Sequence, residues 1–193
     1  PAVFEPQDES DDDLGEQFDE NEDDMHASGI PAARGWRLDP RHADTFAFKD
    51  RVLRMFSEQL GILGWAPEHV APGALPLVPE RVTIKRITNA LTNAVFFVGY
   101  DAASLPAPPT VLLRVYGAGS EALLSRRAEL LILHTLSSLY EIGPHILGTF
   151  ANGRVEEFYE CYSIGQEGMR DLGTPRAEGP AHWEARRMRE MHA

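Results

Sequence analysis

VTIKRITNALTNAVFF, residues 82–97, holds two runs of β-branched and aromatic residues around a small, polar, hydroxyl-rich middle. Val, Ile and Phe favour strands, whereas small residues and Asn favour turns. The segment therefore predicts a strand, a tight loop and an antiparallel strand. The loop has no glycine, which excludes a Walker-type or dinucleotide-binding loop. Its polar groups are either those of an ordinary hairpin turn or groups that cover a phosphate, because oriented amides and hydroxyls suit an anion.

The net charge of -12 belongs to one end of the chain. The first 24 residues hold 12 of the 30 acidic residues and no Lys or Arg, so the other 18 acids are balanced by the 18 bases. A neutral remainder argues against a nucleic-acid partner, which would need a basic face. The single cysteine, Cys161, excludes an internal disulfide framework. No apolar run approaches the ~18 residues of a membrane span and no signal peptide opens the sequence, so we expect a cytoplasmic protein without a membrane span.

Composition divides the chain into four predicted segments. Residues 1–43 are acidic and poor in apolar residues, which predicts a disordered tail that either solvates the protein or contacts a basic partner. Residues 44–79 are predicted as a helical extension and linker, with Asp44 as the N-cap of a helix that Gly61 stops. Residues 80–160 are predicted as the main domain. Residues 161–193 are predicted as an irregular segment and a helix opened by Pro180. The chain begins without Met and ends inside that helix, so we expect a fragment of a longer protein.

Hydrophobic patterning predicts five strands, at residues 82–87, 95–100, 110–116, 145–150 and 154–159. An Asn-Gly turn joins the last two, and a leucine-rich helix at 120–140 follows the third. The third strand is apolar on both sides apart from Arg114, which predicts that both of its faces are covered. The sum is an α+β fold: a five-stranded antiparallel sheet with one packed long helix, preceded by the disordered acidic tail and one extra helix.

Arg114 is the informative charge, because an unpaired cation in a covered strand is costly. Glu129, on the helix expected to pack on this sheet, is the candidate partner. A guanidinium held by a helix carboxylate and facing a hydroxyl-rich loop could grip phosphates, as the Lys–Glu pair of protein kinases does. The alternative is that Arg114 extends to solvent at a strand edge and that Glu129 is merely solvated.

Several segments of the chain, in the same order, resemble choline and ethanolamine kinases, especially those of fungi. They are residues 84–97, 111–117, 125–130, 142–150, 152–158 and 185–192. The helix at 44–60 and Trp65 also resemble the N-terminal extension of the fungal members. The resemblance implies a protein-kinase-like N-terminal lobe whose catalytic C-terminal lobe lies outside these 193 residues.

The resemblance also implies contacts with ATP. The loop would cover the ATP phosphates with Thr88, Asn89, Ala90, Leu91, Thr92, Asn93 and Ala94, and Ala90, Leu91 and Thr92 would also lie near the amino-alcohol phosphate. Arg114 would contact ATP, braced by Glu129. Glu156 and Glu157 would lie at the interlobe hinge beside adenine. Asn89 stands where the family usually has Gly, and Asn adopts left-handed backbone less freely than Gly.

The catalytic residues of such a kinase are not in this sequence. An Asp must orient the attacking hydroxyl, and an Asn and a second Asp must hold Mg²⁺; in the family they occupy His-Asn-Asp and Asp-Phe-Glu runs, and neither run occurs here. We therefore expect no catalytic residue, no metal ligand and no phosphoryl transfer in residues 1–193 alone.

The whole protein is predicted to phosphorylate choline or ethanolamine with ATP and Mg²⁺ for phospholipid headgroup synthesis, and it could form a homodimer. Two other functions stay open. One is a non-catalytic interaction module with an acidic tail. The other is a phosphotransferase for another small alcohol.

Overall fold

A computed structural model describes residues 29–66, 76–87, 93–102, 107–117, 126–161, 164–171, 173–174 and 177–192. The described residues up to Phe158 form one unit and those from Tyr159 onwards form a second. Residues 1–28 of the predicted tail, the loop residues 88–92 and the predicted helix start at Ser120 lie outside the described residues. Within the described ranges, none of the helices combines the length and apolarity that a membrane span needs.

The first unit is built on a six-stranded sheet with the strand order β1-β5-β6-β4-β3-β2. The strands are β1 Ala32–Ala33, β2 Val82–Ile87, β3 Asn93–Tyr100, β4 Val111–Tyr116, β5 Ile146–Phe150 and β6 Gly153–Glu157. Five strands agree with the predicted ones to within two residues, and neighbouring strands among them run antiparallel. The prediction of five strands was wrong by one, because the short β1 pairs in parallel with β5 at the edge of the sheet.

The segment around β1 corrects the predicted boundary of the tail. Ile30, Ala33 and Leu38 are buried, so the prediction of disorder was wrong for residues 29–43. The side chain of Asn152 fixes this segment to the β5–β6 turn: its amide nitrogen donates to the Leu38 carbonyl at 2.8 Å, and its oxygen accepts from the Leu38 N–H at 3.0 Å. A few well-placed apolar residues and paired backbone groups therefore order a segment whose average composition is polar.

Helix α1 spans Phe46–Arg54 and continues as a π-helical turn over Met55–Gln59. Its N-cap is Thr45 and not the predicted Asp44, because the Thr45 hydroxyl accepts from the Phe48 N–H at 3.2 Å. Gly61 adopts a φ of 58° just after the helix, which is the left-handed stop that the sequence predicted.

One face of the sheet is covered by α1 and the segment that follows it. Its core residues from the helical side are Phe48, Val52, Met55, Phe56, Leu60 and Trp65, and those from the sheet include Phe96, Val98, Val111, Leu113, Val115 and Val155. The Trp65 ring meets Phe56 and Tyr100 edge-on, and its N–H donates to the Pro109 carbonyl at 2.9 Å. The extension is thus part of the hydrophobic core.

The opposite face of the sheet carries helix α2, Arg126–Tyr140. Leu130 of this helix packs with Ile146 and Ile30, whereas Leu131, Ile132, Leu139 and Tyr140 are exposed. Residues of β4 alternate between buried positions on the first face and half-buried ones, including Arg114, on the second. The prediction that β4 is covered on both faces was therefore wrong, and Arg114 lies on the half-open side.

The β5–β6 hairpin forms at the predicted Asn-Gly turn, but its glycine is needed for space. A Cβ on Gly153 would collide with the Phe150 ring and with the Arg114 carbonyl of the neighbouring strand. The close approach of β4, β5 and β6 at this point brings Arg114 next to the residue that follows Gly153.

The second unit contains a 3-10 turn at Gly168–Arg170, a small hairpin of β7 Gly173–Thr174 and β8 Ala177–Glu178, and helix α3, Pro180–Met191. Pro180 opens α3 as predicted. On α3 the Arg187 guanidinium lies 5.6 Å from the centroid of the Trp183 ring and pairs with Glu190 at 2.9 Å. The segment before α3, predicted to be irregular, therefore contains a short hairpin.

Candidate functional site

Strand register brings three polar side chains to the half-open face of the sheet, and a helix supplies a fourth. Arg114 of β4 lies directly opposite Arg154 of β6, so their side chains point to the same face. Glu156 is two residues beyond Arg154 and shares that face, and Glu129 approaches from α2. Together with Arg126 and Tyr116, which contact them, we call these residues the arginine–carboxylate cluster.

Arg154 is at the centre of the cluster and is almost fully buried, with a side chain 5% exposed. Its Nε donates to Glu156 Oε1, and its Nη1 donates to Glu129 Oε1 at 2.9 Å and to the Tyr116 hydroxyl oxygen at 3.0 Å. Burial acts to lower the pKa of Arg154, but Tyr116 and Glu156 outweigh it and raise the pKa above its ordinary value. A single buried cation thus joins α2 to strands β4 and β6.

Arg114 has a different partner from the predicted one. Its Nε lies 3.3 Å from Glu156 Oε1, whereas Glu129 pairs with Arg154 and, at 3.2 Å, with Arg126 Nη1. The predicted Arg114–Glu129 pair was therefore wrong, because Arg154 occupies the position between them. Both residues still belong to one cluster on one face of the sheet, and Arg114 keeps a side chain that is 26% exposed.

The ring of Tyr116 contacts two arginines of the cluster, Arg126 and Arg154. The Arg126 guanidinium stacks over its ring at 3.9 Å from the centroid, and the Arg154 guanidinium lies 5.8 Å from it. Burial raises the pKa of Tyr116 above its ordinary value, so the hydroxyl stays neutral at physiological pH and accepts from Arg154. The ring holds two cations close together at the end of β4, where cation–π attraction offsets part of their repulsion.

Glu129 gives this site a pH dependence. Burial acts to raise the pKa of its carboxyl, but the hydrogen bonds and charges of Arg154 and Arg126 outweigh it and lower the pKa below its ordinary value of 4.5. A carboxyl whose pKa is lower in the folded state stabilises the fold above its unfolded pKa, and this contribution is lost as the pH falls through the folded pKa.

We therefore expect the free energy of unfolding of the wild-type chain to fall more steeply than that of Glu129→Gln between about pH 5 and pH 3. Urea unfolding followed by circular dichroism at several pH values measures the difference. Glu58→Gln, an exposed carboxyl on the π-helical turn, is the matched control and should follow the wild-type slope. Equal slopes for the wild type and Glu129→Gln would show that the pair with Arg154 is not formed in solution.

The other residues predicted to contact the nucleotide do not all lie on the face of the cluster. Thr88, Asn89, Ala90, Leu91 and Thr92 lie outside the described residues. Asn93 opens β3 opposite Tyr116, on the face of the cluster. Ala94, by contrast, points into the core on the other face. The ends of the predicted loop, Ile87 and Asn93, therefore lie at the Tyr116 end of the sheet.

The two carboxylates predicted beside adenine are already engaged. Glu156 is buried and turned into the cluster. Glu157, at the end of β6, accepts from the His145 N–H with Oε2 at 3.1 Å, and its own N–H donates to the His145 carbonyl at 3.0 Å. Its side chain and backbone thus stabilise the start of β5.

Sequence reasoning missed Arg154, Tyr116 and Arg126. The available signal was a second arginine in a predicted strand, two residues from a glutamate and next to an Asn-Gly turn. That pattern does not show which residues Arg154 contacts, because its neighbours are set by the register of β4 with β6. No group of three or more His, Cys, Asp or Glu side chains in the described part of the chain could hold a metal ion.

Comparison with known proteins gives one consistent result. The family model described as choline/ethanolamine kinase matches residues 84–192. The choline kinase of Schizosaccharomyces pombe is 36% identical over 129 residues, which cover 64% of this chain and 25% of that protein. The ethanolamine kinase of Saccharomyces cerevisiae is 31% identical over 126 residues, which cover 64% of this chain and 21% of that protein.

Among solved structures, a choline kinase from Cryptosporidium parvum Iowa II is similar with a TM-score of 0.45 and 23% identity, over 63% of this chain and 30% of that one. The chain spans about a quarter or less of the length of the curated relatives named above.

Proposed function

Because this chain belongs to the choline/ethanolamine kinase family, we propose that it is the ATP-binding lobe of a kinase that transfers the γ-phosphoryl group of ATP to the hydroxyl of choline or ethanolamine. Arg114 is the residue that contacts the phosphates of the nucleotide. The chain supplies the nucleotide-binding surface, and the transfer itself requires residues beyond this lobe.

The weakly paired and partly exposed Arg114 of the arginine–carboxylate cluster is the observation that carries the proposal. Of the three arginines of the cluster, Arg114 has the most exposed side chain, at 26% against 21% for Arg126 and 5% for Arg154. Arg114 has a single described carboxylate partner, at 3.3 Å, which is longer than the 2.7–2.9 Å of a strong charge-assisted bond. A guanidinium has five donors, so Arg114 can bind phosphate oxygens without giving up a good ion pair.

The position of the β2–β3 connection supports the same function. Its two ends lie beside the Tyr116 end of β4, next to the cluster. The loop offers backbone N–H groups and the hydroxyls of Thr88 and Thr92, which suit an anion. A phosphate bound by Arg114 on this face would lie between the cation and the ends of the loop.

We assign the phosphoryl-transfer step to residues outside this chain, because the family's catalytic runs do not occur in this sequence. Mg²⁺, when bound with ATP, would neutralise the charge that develops on the transferring phosphoryl group. Its ligands and the base that orients the substrate hydroxyl do not occur here as the family's runs. We therefore propose that residues 1–193 alone bind ATP without turning it over. A cytoplasmic location and a homodimer stay predictions.

The test is ATP binding by the 193-residue chain, measured by isothermal titration calorimetry with and without Mg²⁺. Arg114→Met should weaken binding by about 10-fold to 100-fold, since a hydrogen bond to a charged group contributes about 1.5–3 kcal/mol. Arg54→Met is the matched control, because Arg54 is exposed and pairs with Asp50 on the surface of α1; it should bind ATP as the wild type does.

Three outcomes would contradict the proposal. They are no detectable ATP binding by the folded wild-type chain, equal affinities for the wild type and Arg114→Met, or an equal loss in Arg54→Met. Radiolabelled phosphoryl transfer to choline above the enzyme-free background would contradict the assignment of catalysis to residues outside the chain.

A further inference from the structure

Arg154 decides which groups remain available to Arg114. It occupies Glu129 Oε1 at 2.9 Å and shares Glu156 Oε1 with Arg114. Glu129 Oε2 is in turn occupied by Arg126 at 3.2 Å. Arg114 is therefore separated from the helix carboxylate and is left with one long contact. Its exposed fraction of 26%, against 5% for Arg154, shows which of the two opposed arginines can reach a ligand.

We propose that Arg154 is a positioning residue for nucleotide binding: it neutralises and fixes the carboxylates of Glu129 and Glu156, and this keeps Arg114 weakly tethered and able to bind a phosphate group. The inference rests on the proposed function, because ATP is the ligand that Arg114 would bind. Arg154 itself is too buried to touch the nucleotide and acts through Arg114.

The expected consequence of losing Arg154 follows from the charges. Without it, Arg114 is the one cation among the described residues that still contacts Glu156. Glu156 is buried and loses its closest cation, so it should draw Arg114 into a full ion pair, since an unpaired buried carboxylate is costly. A phosphate would then compete with Glu156 for the same guanidinium.

A charge-rescue experiment tests this role. ATP affinity is measured for the wild type, Arg154→Met, Glu156→Gln and the double variant Arg154→Met/Glu156→Gln. We expect Arg154→Met to bind ATP about 10-fold more weakly, a loss of about 1.4 kcal/mol. The double variant, which removes the carboxylate that would otherwise hold Arg114, should recover most of that loss. A packing role for Arg154 predicts the opposite, because Glu156→Gln removes a further charged group from the cluster without restoring any contact.

Arg154→Lys covers the case in which Arg154→Met does not fold, as judged by circular dichroism. A lysine keeps the charge but cannot bridge two carboxylates with a fixed fork, so Glu156 should be less firmly held in Arg154→Lys and should attract Arg114. Arg154→Lys should therefore also weaken ATP binding and should also be rescued by Glu156→Gln. If neither replacement is rescued, or if ATP affinity is unchanged in a folded variant, the positioning role is wrong.

A measurement without nucleotide separates this inference from the proposed function. Exchange of the Arg114 Nε–H with water, followed by NMR, should slow in Arg154→Met because Glu156 then holds Arg114 tightly. If the wild type fails to bind ATP but this exchange slows, the proposed function is wrong and the control of Arg114 by Arg154 stands. If ATP binds and the exchange does not change, the inference fails and the proposed function stands.

Discussion

Replacing Arg154 with methionine should lower the free energy of unfolding by about 3–5 kcal/mol, the range found when one partner is removed from a buried ion pair. The side chains of Arg154 and Glu156 are only 5% and 7% exposed, and the variant leaves Glu156 with only the 3.3 Å contact to Arg114. Glu129 and the Tyr116 hydroxyl each lose a hydrogen bond in the same step. Urea unfolding of the wild type and variant measures the loss.

Two further variants serve as controls for the predicted stability loss of Arg154→Met. Arg54→Met removes a surface pair and should cost at most about 1 kcal/mol. The triple variant Arg154→Met/Glu129→Gln/Glu156→Gln removes the charges on both sides and should regain at least half of the loss, because a buried ion pair and an uncharged replacement are often similarly stable. Equal costs for Arg154→Met and Arg54→Met would mean that Arg154 is not buried in the cluster in solution.

Replacing Trp65 with alanine should lower the free energy of unfolding by about 3–5 kcal/mol, as large-to-small changes of aromatic residues in a core do. The residue is 1% exposed, and the variant leaves a cavity between Phe56 and Tyr100 and removes the hydrogen bond to the Pro109 carbonyl. Thermal and urea unfolding both measure the effect.

Phe46→Ala is the matched control, because Phe46 is an aromatic residue of α1 that is 57% exposed. An exposed substitution of this kind should change stability by no more than about 0.5 kcal/mol. If Trp65→Ala costs as little as Phe46→Ala, the segment that follows α1 does not cover the sheet in solution, and the extension is not part of the core.

The strand predictions succeeded where a local pattern carries the information. The run at 82–87 is rich in β-branched residues, and the run at 154–159 follows an Asn-Gly turn; the structure has strands at Val82–Ile87 and Gly153–Glu157. The Asp44 cap failed because Asp and Thr both suit an N-cap, and only the hydrogen bond to the Phe48 N–H selects Thr45. The predicted boundary of the disordered tail was wrong because it rested on the average composition of the segment. Burial depends on individual residues, and Ile30 and Leu38 are buried within this polar segment.

The site prediction identified the face and the residue types but paired the wrong partners. Arg114 was singled out because it is a lone cation in an apolar strand, and it does lie in a cluster of arginines and carboxylates. Arg154 is 40 residues away in the sequence, and no local pattern indicates that it lies opposite Arg114. The choice of Glu129 as the partner of Arg114 therefore rested on the two nearest elements in the sequence, and the strand that came between them in space was not considered.

The sequence by itself determined five of the six strands of the sheet, the α-helices, the α+β class and the family, because strand propensity, turn chemistry and segment order are properties of neighbouring residues. Only the tertiary structure decided that Arg154 holds Glu129, that Arg114 stays partly exposed and that the segment around β1 completes the sheet. Each of these depends on the antiparallel register of β4 with β6 and on the close approach that Gly153 permits. Register places residues of distant segments side by side, and a shift of one residue would turn either arginine to the other face.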